Sequence, residues 1–268
     1  MKLKILITVK TYPTLSSKYD ELVCTAGLTQ EGKWIRLYPI PFRKLDYEQR
    51  YTRYQWIEVD VERNESDFRP ETYRAINYEK IIAGKKIEPD GDAWFDRREI
   101  VLRNIYTNMA QLISEAKNKA VCTSLAVFKP TKILDFVFQE TKREWDKKKL
   151  AKLKQLKLFE NAENPFEVVQ KIPYKFSYVF QDDAGKESTM MIEDWETGQL
   201  FWNCLARAEG DEARACLDVK KKYLDDFVRT KDLYFFLGTT KVFHFKAPNP
   251  FIIVGTFHPK PIKQERLL

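Results

Sequence analysis

Trp34, Arg36 and Tyr38 alternate through the string WIRLYPIP. On an extended chain their side chains share one face, while Ile35 and Leu37 share the other. Two aromatic rings flanking a guanidinium can stack nucleobases and hold phosphate. Just downstream, Arg43, Tyr47, Arg50 and Tyr54 fall within about 60° of one another on a helix turning 100° per residue. Tyr51 borders that stripe and Arg53 lies further round. A strand face and a helical stripe of the same chemistry would together make a surface for single-stranded or flipped nucleotides. The same spacing also suits tyrosines that cover a core while arginines snorkel outward. The loop TYPTLSSKY would add Thr14, Ser16, Ser17 and Lys18 as phosphate contacts, or serve as a solvated connection.

A second chemistry is available to clustered carboxylates. Glu193-Asp194-Trp195-Glu196 stands where a strand passes into a helix, and Asp194 and Glu196 could ligate a divalent ion for phosphodiester cleavage. Asp194 acting as an N-cap, with Glu196 complementing the helix dipole, accounts for the same residues. Glu140-Thr141-Lys142 with upstream Asp135 loosely matches a PD-(D/E)xK nuclease pattern, but Pro89-Asp90 is far away and a charge content of 32% makes the triplet unspecific. The two histidines, His244 and His258, have no acid at ligand-like spacing. They read as packed or capping residues. No GxSxG, Walker A or GxGxxG string occurs. No metal site and no cofactor is expected.

These residues need elements to position them. KILITVKTY, ELVCTAGLT, WIRLYPI and WIEVDVER alternate as strands, and FRKLDYEQRYTRY takes helical spacing. Residues 64–96 read as irregular, punctuated by Pro70, Pro89 and Gly91. RREIVLRNIYTNMAQLISEAKNK reads as one helix, with Ile105, Met109, Leu112 and Ile113 on its apolar side. Two strands surround Pro130. Residues 141–157 form a basic amphipathic run, with eight lysines or arginines against two acids. Beyond it come a hairpin turning at Asp182-Asp183-Ala184-Gly185, helices near 194–208 and 211–230, and three closing strands, LYFFLGT, KVFHFK and FIIVGTF.

Forty-six basic residues against 39 acidic ones give a charge of +7, which favours polyanionic partners. Cys24, Cys122, Cys204 and Cys216 form no CxxC pair and sit among apolar neighbours, as buried reduced thiols do. The five-residue apolar run near the start is too short for a signal peptide, and no segment has the length of a membrane span. A soluble, cytoplasmic protein is expected.

DLYFFLGT and PFIIVGTF near the end, with the early barrel-like strands, resemble the PUA and ASCH superfamily. That resemblance implies a compact, mostly antiparallel β-barrel associated with RNA or modified nucleotides. The ASCH signature G-x-K-x-x-E-x-R is nearly met at Gly84-Lys85-Lys86-Ile87-Glu88, where glutamate comes one residue early and the arginine is missing. No functional residue is carried over. The string GxWIRLYP also resembles one in bacterial proteins.

The expected fold class is α+β, mainly antiparallel, with at least one barrel-like sheet and several packing helices. Boundaries are expected at 1–140, 141–170 and 171–268, or the chain forms one continuous domain. The expected function is nucleic-acid binding, DNA or RNA, through Trp34, Arg36, Tyr38, Arg43, Tyr47, Arg50 and Tyr54. A metal-dependent nuclease using Asp194 and Glu196, and a scaffold binding a protein partner, are the alternatives.

Overall fold

The structure, a computed structural model, describes residues 1–16, 20–148, 150–151 and 168–262. Ser17, Lys18 and the basic run beyond residue 151 lie outside the described residues. The first sheet comprises β1 (Lys2–Lys10), β2 (Thr14–Ser16), β3 (Asp20–Leu28), β4 (Trp34–Ile40), β5 (Gln55–Arg63), β6 (Thr72–Ala75) and β7 (Ile82–Lys86). Five of these close into a barrel in the order β1-β3-β4-β6-β5, with β5 returning to pair antiparallel with β1, Ile5 opposite Ile57. Within the barrel only the β4–β6 step is parallel. Ile5, Ile7, Val23, Ile35, Leu37, Ile57, Val59 and Val61 fill the interior. Ile5 and Ile7 of β1 and Ile57, Val59 and Val61 of β5 alternate inward, as the pleat requires, and a bulge between Ile7 and Val9 turns Val9 outward.

The remaining elements form two further layers. α1 (Phe95–Val101) leads into β8 (Ile105–Tyr106) and α2 (Met109–Lys117). β9 (Leu125–Phe128), β13 (Tyr234–Thr239) and β14 (Phe251–Phe257) join β8 in a sheet ordered β14-β13-β9-β8. A second sheet, β10 (Lys132–Glu140), β11 (Tyr174–Gln181) and β12 (Glu187–Met191), packs with α3 (Trp195–Arg207) and α4 (Glu212–Lys220), whose last turn continues as a π-helix over Lys221–Val228. The architecture is α+β with mostly antiparallel pairing and one closed barrel.

The β14-β13-β9 sheet is buried on both faces. Tyr234, Phe236, Leu125, Val127 and Val254 pack toward the barrel, against Leu6, Val9, Ala26 and Leu28. Phe235, Leu237, Ala126, Phe128 and Ile253 pack the other way, into the core of β10–β12 and the helices. This double burial is why YFFLGT and FIIVGTF are continuous apolar runs. β9 and β10, placed by sequence in the N-terminal unit, hydrogen-bond to strands of the C-terminal half.

Three local expectations are corrected. FRKLDYEQRYTRY is not a helix but two 3-10 turns, Phe42–Lys44 and Tyr47–Gln49. Leu45 and Tyr51 are both drawn into the barrel core, and Arg50 grips the Leu45 and Arg43 carbonyls, which unwinds the segment. The long helix before residue 120 is split. Ile105 pairs with Val127 in β8, and Asn108 caps a new helix by accepting from Gln111 N. KVFHFK is a series of turns in which His244 is fully buried, its Nδ1 against Thr239 Oγ1 and its Nε2 against the Ala116 carbonyl.

Candidate nucleic-acid interface

β4 does split into two faces, but at the centre of the second one Arg36 is enclosed by protein, between a half-buried Trp34 and a half-buried Tyr38. Ile35 and Leu37 enter the barrel. Arg36 is 2% exposed and donates to Ser124 Oγ (2.8 Å), the Ser124 carbonyl (3.0 Å) and Thr72 Oγ1 (3.1 Å), with Glu71 at 3.5 Å. It ties the barrel to β9's approach and cannot contact a ligand phosphate. Trp34 is half-buried, edge-on to Phe236, and lines a cleft of about 520 Å³ with Arg103, Tyr106 and Gln111. Tyr38 is half-buried, its carbonyl accepting from Asn64 Nδ2.

The expected helical stripe is dispersed with the helix that carried it. Tyr47 is 89% exposed and stands apart from both cavities described below. Arg43 Nη1 donates to both carboxylate oxygens of Glu21, at 2.8 and 2.7 Å. Tyr54 is buried with φ at 61°, a left-handed conformation uncommon for a bulky residue. Its backbone holds together β1, through Ile7, and the chain after β7, through Ile87.

What the fold does assemble lies at the seam where the start of α3 meets the barrel rim. Two cavities flank the Trp195–Glu196 step. One, about 370 Å³, is lined by Phe42, Arg43, Arg50 and Trp195. The other, about 290 Å³, is lined by Thr52, Arg53, Tyr54, Lys86, Trp94, Arg97, Glu196 and His258. Lys10 lies behind the first, its Nζ 4.4 Å from the Phe42 ring centre and 5.4 Å from that of Trp195, and donates to the Tyr51 carbonyl. Burial lowers the Lys10 ammonium to about 8, partly offset by the Glu196 and Asp194 carboxylates.

Arg53 is the hub. Its Nη1 donates to Glu196 Oε2 at 2.5 Å and reaches Asp194 Oδ2 at 3.5 Å, and its Nη2 donates to the Thr256 carbonyl. Burial works against its charge, but Tyr54, Glu196 and Asp194 outweigh that and raise its pKa. Asp194 caps α3 by accepting from Glu196 N, and burial pushes its carboxyl up to about 7 against the pull of Arg53. The guanidinium therefore stands where a divalent ion bound by Asp194 and Glu196 would have to sit. Among the described residues no cluster of histidine, cysteine or acidic side chains is arranged to hold a metal.

The far wall is aromatic. Arg97 lies 4.1 Å from the Tyr54 ring centre and 4.8 Å from that of Trp94, and Trp94 itself has φ at 55°. His258 stacks on Phe227 at 3.8 Å, and burial, then the Arg53 charge, push its imidazole down to about 3. It is a neutral ring in the wall.

Residues 106–268 match the family described as Domain of unknown function (DUF8757). The chain belongs to that family. Residues 1–103 match a second one, Domain of unknown function (DUF8758), so the two matches meet at β8. No curated protein matches the chain. A solved structure described as a murine DNA binding protein bound with ds DNA aligns over 98% of both chains, at TM-score 0.31 and 9% identity, too low to carry fold or ligand across.

Of the residues singled out by sequence, Arg43, Arg50, Tyr54 and Glu196 line the two cavities, and Asp194 lies behind Arg53. Lys10, Phe42, Arg53, Trp94, Arg97, Trp195 and His258 complete the site, and sequence reasoning passed over them as ligand contacts. Trp195 stood inside the acidic string already noticed. Nothing local marks Lys10, which meets Phe42, Tyr51 and Trp195, or the contact of Arg97 with Tyr54, all distant in sequence.

Proposed function

We propose that this protein binds nucleic acid through the seam beside α3. The observation that carries this is the pair of cavities flanking Trp195–Glu196, where the rings of Phe42, Trp195 and Trp94 stand among Arg43, Arg50, Arg53, Arg97 and Lys86. Aromatic faces accept unstacked bases, and guanidinium and ammonium groups accept the phosphates between them. The overall charge of +7 acts in the same direction. The rim of the closed barrel carries that surface. The nuclease alternative loses its metal ligands to Arg53.

The test is fluorescence anisotropy with single-stranded and duplex DNA and RNA across a salt series. Binding at micromolar concentration or tighter, with a steep salt slope, is expected. Arg50→Ala should weaken it, because Arg50 is exposed and lines the first cavity. Absence of binding to all four polymers at low salt would sink the proposal.

A further inference from the structure

We propose that the cavity at Arg53 is a phosphate site, in which a ligand phosphate replaces the Glu196 carboxylate on the Arg53 guanidinium. This rests on the nucleic-acid reading above and adds the group recognised and the side chain it displaces.

Arg53 lines the cavity at 7% exposure, and its Nε–H has no acceptor among the described residues. The two carboxylates on Arg53 are unequal. Asp194 is buried, caps α3 and bridges to Thr11 of the chain leaving β1, so it is committed to the fold. The Glu196 side chain is 54% exposed, and a half-solvated carboxylate leaves an ion pair at little cost. Its backbone N–H takes the cap from Asp194, so the side chain can swing away without disturbing the helix.

A phosphate oxygen accepts from Nη1 in place of Glu196 Oε2, while Nη2 stays on the Thr256 carbonyl and the Tyr54 hydroxyl, and the other phosphate oxygens remain for further donors. Arg97, fixed by its Nε on the Ile87 carbonyl, and Lys86 add positive charge to the same cavity. Trp94 and His258 supply ring surface for the attached sugar or base. In the free protein Glu196 thus holds the phosphate position and screens a buried cation.

The experiment compares wild type, Glu196→Gln and Glu65→Gln, the last an exposed carboxylate outside the cavity. Glutamine keeps an oxygen for Arg53 but removes the competing charge. Binding of a 3′-labelled single-stranded DNA 12-mer is measured with a 5′-phosphate and with a 5′-hydroxyl. Glu196→Gln should tighten binding about fivefold, with Glu65→Gln changing it less than about twofold. A gain confined to the 5′-phosphorylated strand assigns the site to a terminal phosphate, and an equal gain on both assigns it to the backbone. If Glu196→Gln behaves like Glu65→Gln while the strand still binds with a steep salt slope, the phosphate site is wrong and the binding surface stands. If no strand binds any of the three, inorganic phosphate at constant ionic strength decides. A Tm rise larger in Glu196→Gln than in wild type keeps the phosphate site for a smaller ligand, and no rise in either overturns it.

Discussion

Arg36→Ala should destabilise the protein severely and leave the binding of the folded fraction unchanged. The side chain is 2% exposed and makes hydrogen bonds at 2.8, 3.0 and 3.1 Å to Ser124 and Thr72, beside the Glu71 carboxylate. Truncation leaves the Ser124 carbonyl without that donor, strands a largely buried Glu71 charge and opens a void at the seam. Breaking a buried charge pair by removing one partner costs about 3–5 kcal/mol. With a urea dependence of about 3 kcal/mol per molar, the upper end for small proteins, the unfolding midpoint should fall by about 1–2 M. Arg36→Lys should recover less than half, because one ammonium cannot span Ser124 and Thr72 as the planar guanidinium does. Urea titration followed by far-UV circular dichroism measures both. A midpoint shift for Arg36→Ala below about 0.3 M, which is under about 1 kcal/mol, would refute the argument that Arg36 is a buried tie between the two halves.

Other expectations follow from the same seam. Asp194→Asn keeps a good N-cap and should be mild beside Asp194→Ala, which loses the cap and leaves Arg53 short of a partner; a difference below about 1 kcal/mol in urea unfolding would contradict this. Gly198→Ala improves helix propensity by about 1 kcal/mol. Its Cβ would nonetheless collide with the Tyr12 ring, which is anchored by hydrogen bonds to Trp202 and the Gln170 carbonyl. Overpacking at about 1–3 kcal/mol should win, so a raised Tm would be the wrong sign. His258 has its folded pKa pushed down to about 3, while the unfolded chain takes up that proton from about pH 6.5. Stability from this group is therefore full above pH 6.5 and is lost as pH falls toward 3. Asp194, raised by burial to about 7, acts in the opposite direction, so the variant is needed to separate them. Wild type should lose more stability than His258→Phe between pH 7 and 4.5, and parallel losses would show that His258 is not held neutral.

Binary patterning carried a large part of the fold. The alternation of KILITVK and WIEVDVER placed Ile5, Ile7, Ile57 and Val59 on one side, and the structure puts that side inside a barrel. The hairpin at Asp182–Gly185 was legible because its chemistry is local: Asp182 Oδ1 accepts from Ala184 N and Lys186 N, and Gly185 supplies φ of 73°. The Asp194 cap was legible for the same reason, since its partner is two residues away. Periodicity misled where tertiary demand overrode it. Leu45 and Tyr51 unwound a helical pattern by entering the barrel core, and Ile105 left a helical stripe to pair with Val127.

The sequence by itself determined which side chains of β4 share a face, but not what that face meets. Side-chain alternation is a property of one strand, whereas burial depends on what the chain lays against it. Arg36 finds its partners at 71, 72 and 124, and Arg53 finds its at 194, 196 and 256. Only the closure of the barrel and its docking onto β13 and β14 bring those positions together. That docking turned a surface arginine into a buried tie, and gathered scattered aromatic and basic residues into one site beside α3.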